Sequence, residues 1–326
     1  MKIVKVLLAI VLTVVMLYVT RTNSLGEPES FTHEENGYAF RITTVPKQIE
    51  DEAATLTVEV TGPISDGTEV YFRSAVKGVT DLAQLDAYDR SLMRPADTAS
   101  GLYETQVTAG KRGWKMYYYF EVVSADGQVL ARFFLKDHDP FLFKSIGHVP
   151  LYILLPHIFF MFSTFFLVSM AAISAFPLIT GSQIDPHLTA VYMFWAVVAV
   201  FFGGFVFGVP MNWFAFGVTW EGVPFGTDAT DNKTQLLFVY MFFSMLSMFG
   251  SLTKGKTGRD ILSPRGLGWV GISTFLFMLF IYLIPHSIQF SAAFTYAFCY
   301  SMIGLFAIVY FIGLARAKSK QLPVQK

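Results

Sequence analysis

Six side chains of this 326-residue chain are candidates, by type and position together, to hold a metal or a cofactor: His157, His148, His286, Glu221, Asp228 and Asp231. His157 stands apart because it lies inside an otherwise apolar run. It follows Pro156 and sits about 12 Å below the start of that run, at 1.5 Å per helical residue. An ionisable residue inside a membrane segment is a functional candidate by default. An imidazole there can ligate a b-type haem or another metal through a ring nitrogen. A bis-histidine haem site needs a second histidine at that depth on a facing helix. The sequence places none, since His148 and His286 fall at one boundary and His187 at the other. Met241 and Met278 fall at comparable depth, which leaves a His–Met pair. The plainer role is a neutral ring bonded to a carbonyl or hydroxyl within the bundle.

The other five candidates are expected near one membrane face. Glu221, Asp228 and Asp231 lie in a stretch of mingled aromatics and glycines from Trp213 to Thr234. Carboxylates with imidazoles suit a divalent metal, although this spacing matches no metal motif. A structural role accounts for the same residues: Thr230 or Asp231 N-caps the next helix, and the aromatics suit a bilayer interface. Cys299, the single cysteine, excludes an internal disulfide and any CxxC site. It reads as a packing residue. The chain has no P-loop, zincin, nucleophile-elbow or dinucleotide motif.

Five apolar runs position these residues: 150–176, 188–209, 234–252, 267–285 and 292–314. None contains Asp, Glu, Lys or Arg. Their length is what a bilayer core demands, because backbone groups there can be satisfied only within the segment. The chain is 15% charged, with 34 Phe, against about 25% charged in soluble domains. The deficit falls after residue 149. A further run, Val6 to Val19, reads as a signal peptide or an uncleaved signal anchor. No clear small-residue cleavage site follows it, which favours the anchor.

Loop charge sets the expected orientation. Lys2, Lys5, Lys254, Lys256, Arg259, Arg265, Arg316, Lys318, Lys320 and Lys326 fall on one side. All 24 carboxylates except Asp185 and Asp260 fall on the other. This predicts a plasma (inner) membrane protein with residues 21–148 extracytoplasmic and a basic cytoplasmic tail, 316–326. Gly204 and Gly208 form a GxxxG pair suited to close helix packing within the bundle.

Residues 38–137 read as strands: Tyr38–Thr44, Thr55–Thr61, Glu69–Ala75, Leu102–Thr108, Lys115–Val123 and Val129–Leu135. Leu56, Val58 and Val60 alternate with Thr55, Thr57 and Glu59 at the period of a half-buried strand. Gly62-Pro63, Asp66-Gly67, Ala109-Gly110 and Asp126-Gly127 separate the runs, the last as a hairpin signal. So many short strands predict a β-sandwich. The run Gly101-Leu102-Tyr103-Glu104-Thr105, with Tyr117-Tyr118-Tyr119-Phe120-Glu121-Val122-Val123-Ser124-Ala125-Asp126-Gly127, resembles the closing strands of immunoglobulin-like or fibronectin-type-III-like modules. The resemblance covers about a third of the chain. It implies a fold and no activity. The antibody-type cysteine pair is absent.

The expected fold class is a membrane α-helical bundle of five spans plus the N-terminal anchor or signal peptide, with an extracytoplasmic all-β sandwich. Expected partners are the lipid bilayer and other membrane or extracytoplasmic proteins. No basic stripe with interleaved aromatics points to nucleic acid. The charge-free runs and the lack of an inverted repeat disfavour a secondary transporter. The function this predicts is a non-enzymatic subunit, scaffold or assembly component. The alternative is a redox or electron-transfer subunit holding haem or a divalent metal near the outer face.

Overall fold

The computed structural model describes residues 2–24, 29–45, 47–63, 67–76, 85, 87–97, 101–135, 138–284 and 290–321. Asp66 of one expected turn, the 285–289 hairpin with His286, and the tail beyond Gln321 lie outside the described residues. The chain divides into a β-unit, Gly26–Val149 with Trp213–Val218, and a helical unit, Met1–Leu25, Pro150–Asn212 and Thr219–Lys326.

The β-unit holds β1 (Ser30–Glu35), β2 (Tyr38–Thr43), β3 (Lys47–Ile49), β4 (Ala53–Thr61), β5 (Glu69–Ala75), β6 (Asp89–Leu92), β7 (Arg94–Asp97), β8 (Leu102–Thr108), β9 (Lys115–Val123), β10 (Val129–Phe133) and β11 (Phe141–Ile146). They form two mostly antiparallel sheets, β1-β2-β4-β8-β7 and β3-β11-β9-β5-β6, with β10 also on β9. Among the described residues only β3 and β11 pair in parallel. All six predicted strands are present within two residues of their expected ends. β1 and β11 lie beyond the expected 38–137 boundary. Period-two alternation builds the core: Phe40 and Ile42, Leu56, Val58 and Val60, Val70 and Phe72, Tyr118, Phe120 and Val122, and Phe141 and Phe143 all lie in one buried cluster. The Asp126-Gly127 turn closes the β9–β10 hairpin, with the Gly127 N–H donating to the Ser124 carbonyl at 2.9 Å.

Six residues from the second half of the chain, Trp213–Val218, belong to the β-unit. The Gly147 N–H donates to the Ala215 carbonyl at 2.8 Å. A Cβ at Gly147 would come within 2.0 Å of the Phe214 carbonyl oxygen, so only glycine permits that approach. The Arg112 guanidinium lies 4.9 Å from the Trp213 ring centroid, within cation–π range. The aromatic stretch read as interfacial is therefore split, and its first part covers a glycine surface of the β-unit.

The helical unit comprises α1 (Lys2–Ser24), α2 (Leu151–Thr180), α3 (His187–Phe201), a π-helical segment (Phe202–Phe207), α4 (Gly208–Phe216), α5 (Ala229–Ser247), α6 (Pro264–Leu283) and α7 (Ala292–Gln321). The last residues of α4 count with the β-unit. Among the described residues five stretches are long and apolar enough to cross a membrane: Ile3–Thr20, Leu151–Thr180, His187–Phe216, Pro264–Leu283 and Ala292–Ser319. The predicted run 234–252 is not among them. Its helix, α5, starts at Ala229 and takes in Asp231, Asn232, Lys233, Thr234 and Gln235, which dilutes its apolar character. α1 buries Ala9 and Thr13, and its Met16 and Leu17 pack against the helical core of Phe165, Val168, Met193, Val200, Met241 and Met278. The Ser263 hydroxyl caps α6 with Pro264 just inside, and Gly181 ends α2 at φ 75°, both expected helix-end chemistry.

Candidate functional site

Among the described residues the buried charged side chains of the helical unit, Asp231 and Lys233, lie at the head of α5 with buried Asn232 between them. Asp228 Oδ1 accepts from the backbone N–H groups of Thr230 (2.8 Å) and Asp231 (3.0 Å). This satisfies two donors that a helix start leaves open. The cap is thus Asp228 and not Thr230 or Asp231, and the helix begins earlier for that reason.

Asp231 turns inward and is buried. Its Oδ1 accepts from Asn212 Nδ2 at 2.9 Å and its Oδ2 from the Glu221 N–H at 2.6 Å. Asn232 Oδ1 accepts from the Val223 N–H at 2.9 Å, and its Nδ2 donates to the Asp228 carbonyl at 2.8 Å. Lys233 Nζ donates to the Ile284 carbonyl at 2.7 Å. Three consecutive side chains therefore fasten Asn212, the 221–223 loop and the end of α6 to one helix start. A run of Asp, Asn and Lys ahead of an apolar stretch was the available signal, and it reads equally well as a solvated loop.

The expected metal ligands are placed as follows. Asp228 caps a helix, and both Asp231 oxygens are occupied. The Glu221 side chain is exposed, while its backbone serves Asp231 and accepts from the Asp228 N–H at 2.8 Å. His148 belongs to the β-unit, and His286 lies outside the described residues. Among the described residues no group of three or more His, Cys, Asp or Glu is placed to hold a metal ion.

A hydroxyl seam joins α5 to α6. The Tyr240 hydroxyl donates to Ser273 Oγ at 2.9 Å, and Ser273 donates to the Val270 carbonyl at 3.0 Å. Thr274 Oγ1 lies 2.8 Å from the same carbonyl and 3.2 Å from Ser244 Oγ. Two hydroxyls converge on one carbonyl, which cannot pass a proton on. The seam is a helix–helix fastening and not a proton path. Tyr240→Phe is expected to cost about 0.5–1.5 kcal/mol, the net worth of an ordinary intramolecular hydrogen bond. Thermal unfolding of the Tyr240→Phe, Ser273→Ala and double variants checks this, since the double should cost less than the sum.

Beyond α5, Ser251 ties the other end together. Its carbonyl accepts from His187 Nδ1 at 2.9 Å, and its N–H donates to Asp260 Oδ1 at 2.9 Å. The Ser251 hydroxyl bonds the second Asp260 oxygen. Burial raises the Asp260 carboxyl above its ordinary value, against the pull of those bonds. With Asn212 at its start and His187 at its end, α5 runs antiparallel to the His187–Asn212 stretch.

His157 Nδ1 lies 2.9 Å from the Gly203 carbonyl oxygen in the π-helical segment. That oxygen can only accept, so Nδ1 carries the proton and Nε2 keeps its lone pair. The carbonyl-bonded ring expected of a structural histidine is present, in a tautomer that also suits ligation. Met161, one turn on, packs on the same glycine: a Cβ at Gly203 would meet its Sδ at 2.8 Å. Met241 and Met278 are instead fully buried in the helical core. Gly204 of the GxxxG pair makes room for Thr234 of α5, whose Cγ2 would be 2.4 Å from a Cβ there. The pair packs within the bundle.

The β-unit holds a second buried charged group. Arg73 on β5 and Glu121 on β9 are 8% and 4% exposed. Arg73 Nε lies 3.6 Å from Glu121 Oε1 and donates to the Tyr119 hydroxyl at 3.3 Å. That hydroxyl donates to Glu121 Oε1 at 3.0 Å. Arg73 Nη2 reaches the Leu85 carbonyl at 3.1 Å, and Arg132 Nε lies 3.5 Å from Glu121. Tyr88 and Phe134 pack on the Tyr119 ring.

Burial pushes the Tyr119 phenol up to about 12, with the Arg73 bond opposing. Burial also raises Tyr118, in the main core. A raised phenol favours the neutral ring in the folded state. Its contribution is fully present below about pH 10, the unfolded value, and is lost as pH rises from there through 12. The β-unit is therefore expected to unfold over that window. Phenolate absorbance should rise together with loss of β-sheet circular dichroism, and Tyr119→Phe should push the transition to higher pH.

Neither the family models nor the curated proteins compared with this chain match it.

Proposed function

We propose that this chain is an integral membrane protein acting as a non-catalytic subunit, scaffold or assembly component, its sandwich docking a partner outside the cytoplasm. In this reading the sandwich is immunoglobulin-like or fibronectin-type-III-like, α1 is a signal anchor, and residues 21–148 are extracytoplasmic. The observation that carries it is how the buried charges are used. Among the described residues these are Arg73, Glu121, Asp231 and Lys233, and each is held by intramolecular partners. Their chemistry shapes the chain and leaves the sheet edges to meet other molecules. The end strands β1 and β7 of one sheet and β3 and β6 of the other each have one neighbour in the strand order, the kind of edge to which another chain can add. A photo-reactive residue at Thr32 of β1 or Ser91 of β6, activated in native membranes, should give one cross-linked product with a different protein. Products from neither position would remove the docking claim.

A second reading, an electron-transfer subunit holding haem or a metal, is favoured by the His157 tautomer. A reducible Soret band that disappears in His157→Ala would establish it. A featureless spectrum of metal-free, folded protein would end it.

A further inference from the structure

One end of the helical unit gathers an excess of positive charge around a cleft. His187 at the start of α3 bonds to Ser251 beyond the end of α5. Gly268 of α6 lies against the end of α2, where a Cβ would sit 2.8 Å from Ile179 Cγ1. Gly313 of α7 lies against Ile261, where a Cβ would sit 3.0 Å from its Cγ2. The ends of five helices are thus brought together. Lys254, Lys256, Arg259, Arg265, Arg316 and Lys318 are exposed at this end. None forms an ion pair among the described residues. The two acids there are engaged: Asp260 by Ser251, and Asp185 Oδ1 by the His187 N–H at 3.0 Å.

The cleft, of about 440 Å³, opens between the end of α2 and the start of α6. Its walls are of two kinds. Leu178, Ile179 and Ile184 are apolar, and Ile184 is 78% exposed. Thr180, Gln183 and Arg265 are polar or cationic. A free phosphate has no use for an exposed isoleucine. A phospholipid has both parts: an anionic phosphodiester for Arg265 and glycerol and acyl carbons for the isoleucines. A guanidinium suits phosphate oxygens through paired N–H donors. The surrounding cations attract anionic headgroups in particular.

We propose that this cleft binds an anionic phospholipid, with Arg265 on the phosphate and the 254–259 cations enriching such lipids around it. The assignment rests on the helices lying in a membrane and is independent of docking by the β-unit.

The test uses the full chain purified in a zwitterionic detergent. Melting temperature and lipid retained per chain, by mass spectrometry, are read with phosphatidylglycerol and with phosphatidylcholine of the same acyl chains. Phosphatidylglycerol is expected to raise Tm by about 2–4 °C at saturating lipid, and phosphatidylcholine to leave it unchanged. Arg265→Gln should remove at least half of the rise and of the retained lipid without changing the lipid-free Tm, and Arg265→Lys should restore part of both. Equal shifts with the two lipids would overturn the proposal, as would an Arg265→Gln protein that retains the full shift. A shift reproduced by inorganic phosphate would overturn it in favour of a free-anion site. Should Arg265→Gln lower the lipid-free Tm, Lys254→Gln/Lys256→Gln/Arg259→Gln serves instead. That variant should keep fold and cleft but retain less phosphatidylglycerol, and unchanged retention would count against the proposal.

Discussion

Glu121→Ala is expected to destabilise the β-unit by about 3–5 kcal/mol, the cost of leaving one member of a buried ion pair without its partner. In the variant the Arg73 guanidinium stays buried, bonded only to a phenol and the Leu85 carbonyl. The Tyr119 hydroxyl also loses its acceptor. The charge itself is the problem and not the lost volume, so Arg73→Met combined with Glu121→Leu should recover most of the loss. Buried ion pairs replaced by apolar groups are often neutral or better. Protease susceptibility of the β-unit in the full chain, followed against denaturant, reads both variants. A loss below about 1 kcal/mol for Glu121→Ala, the worth of an exposed pair, would mean that water reaches the group.

Asp231→Ala should have the largest effect on the helical unit, about 2–4 kcal/mol. Removing the buried carboxylate strands the part-buried Glu221 N–H and Asn212 amide, each at the lower part of the about 1–3 kcal/mol that an unpaired buried group costs. Asp231→Asn keeps the volume and one acceptor and should cost less, because Asn212 can rotate its amide to pair with it. Thermal unfolding in detergent separates the two. Equal loss in both would place the importance in the charge and not in the two hydrogen bonds.

These two clusters also mark where sequence reading ran out. Strands β2, β4, β5, β8, β9 and β10 were legible because each alternates or is bounded by glycine turns. β11 alternates equally well, Phe141 and Phe143 buried against Leu142 and Lys144 half-buried, but lay past the boundary drawn at residue 137. The two faces of β9 explain the missed ion pair. Its even-numbered residues from Tyr118 fill the main core, which leaves Tyr119 and Glu121 on what alternation calls the solvent face. Leu85 and Tyr88 pack on that face, and no local pattern reports such a cover. The apolar helices were legible from hydropathy alone. α5 was not fully so, because its polar first turns satisfy partners on α4, α6 and the intervening loop, distant in sequence. The expected cap at Thr230 or Asp231 failed for the same reason: Asp231 is needed inside, and Asp228 is the residue left at the boundary. His157 was found by its isolation in an apolar run, but its partner is a backbone carbonyl, which no side-chain motif can reveal.

The central claim is that the chain shapes and docks and does not itself carry out redox chemistry. Native mass spectrometry of the full chain, released from its own membranes in mild detergent, tests it most directly, because partner, haem and metal all appear as mass. The expected result is a complex of this chain with a different protein at fixed stoichiometry, with no haem or metal on this chain. A chain that appears alone and carries haem or a stoichiometric metal, lost in His157→Ala, would contradict it.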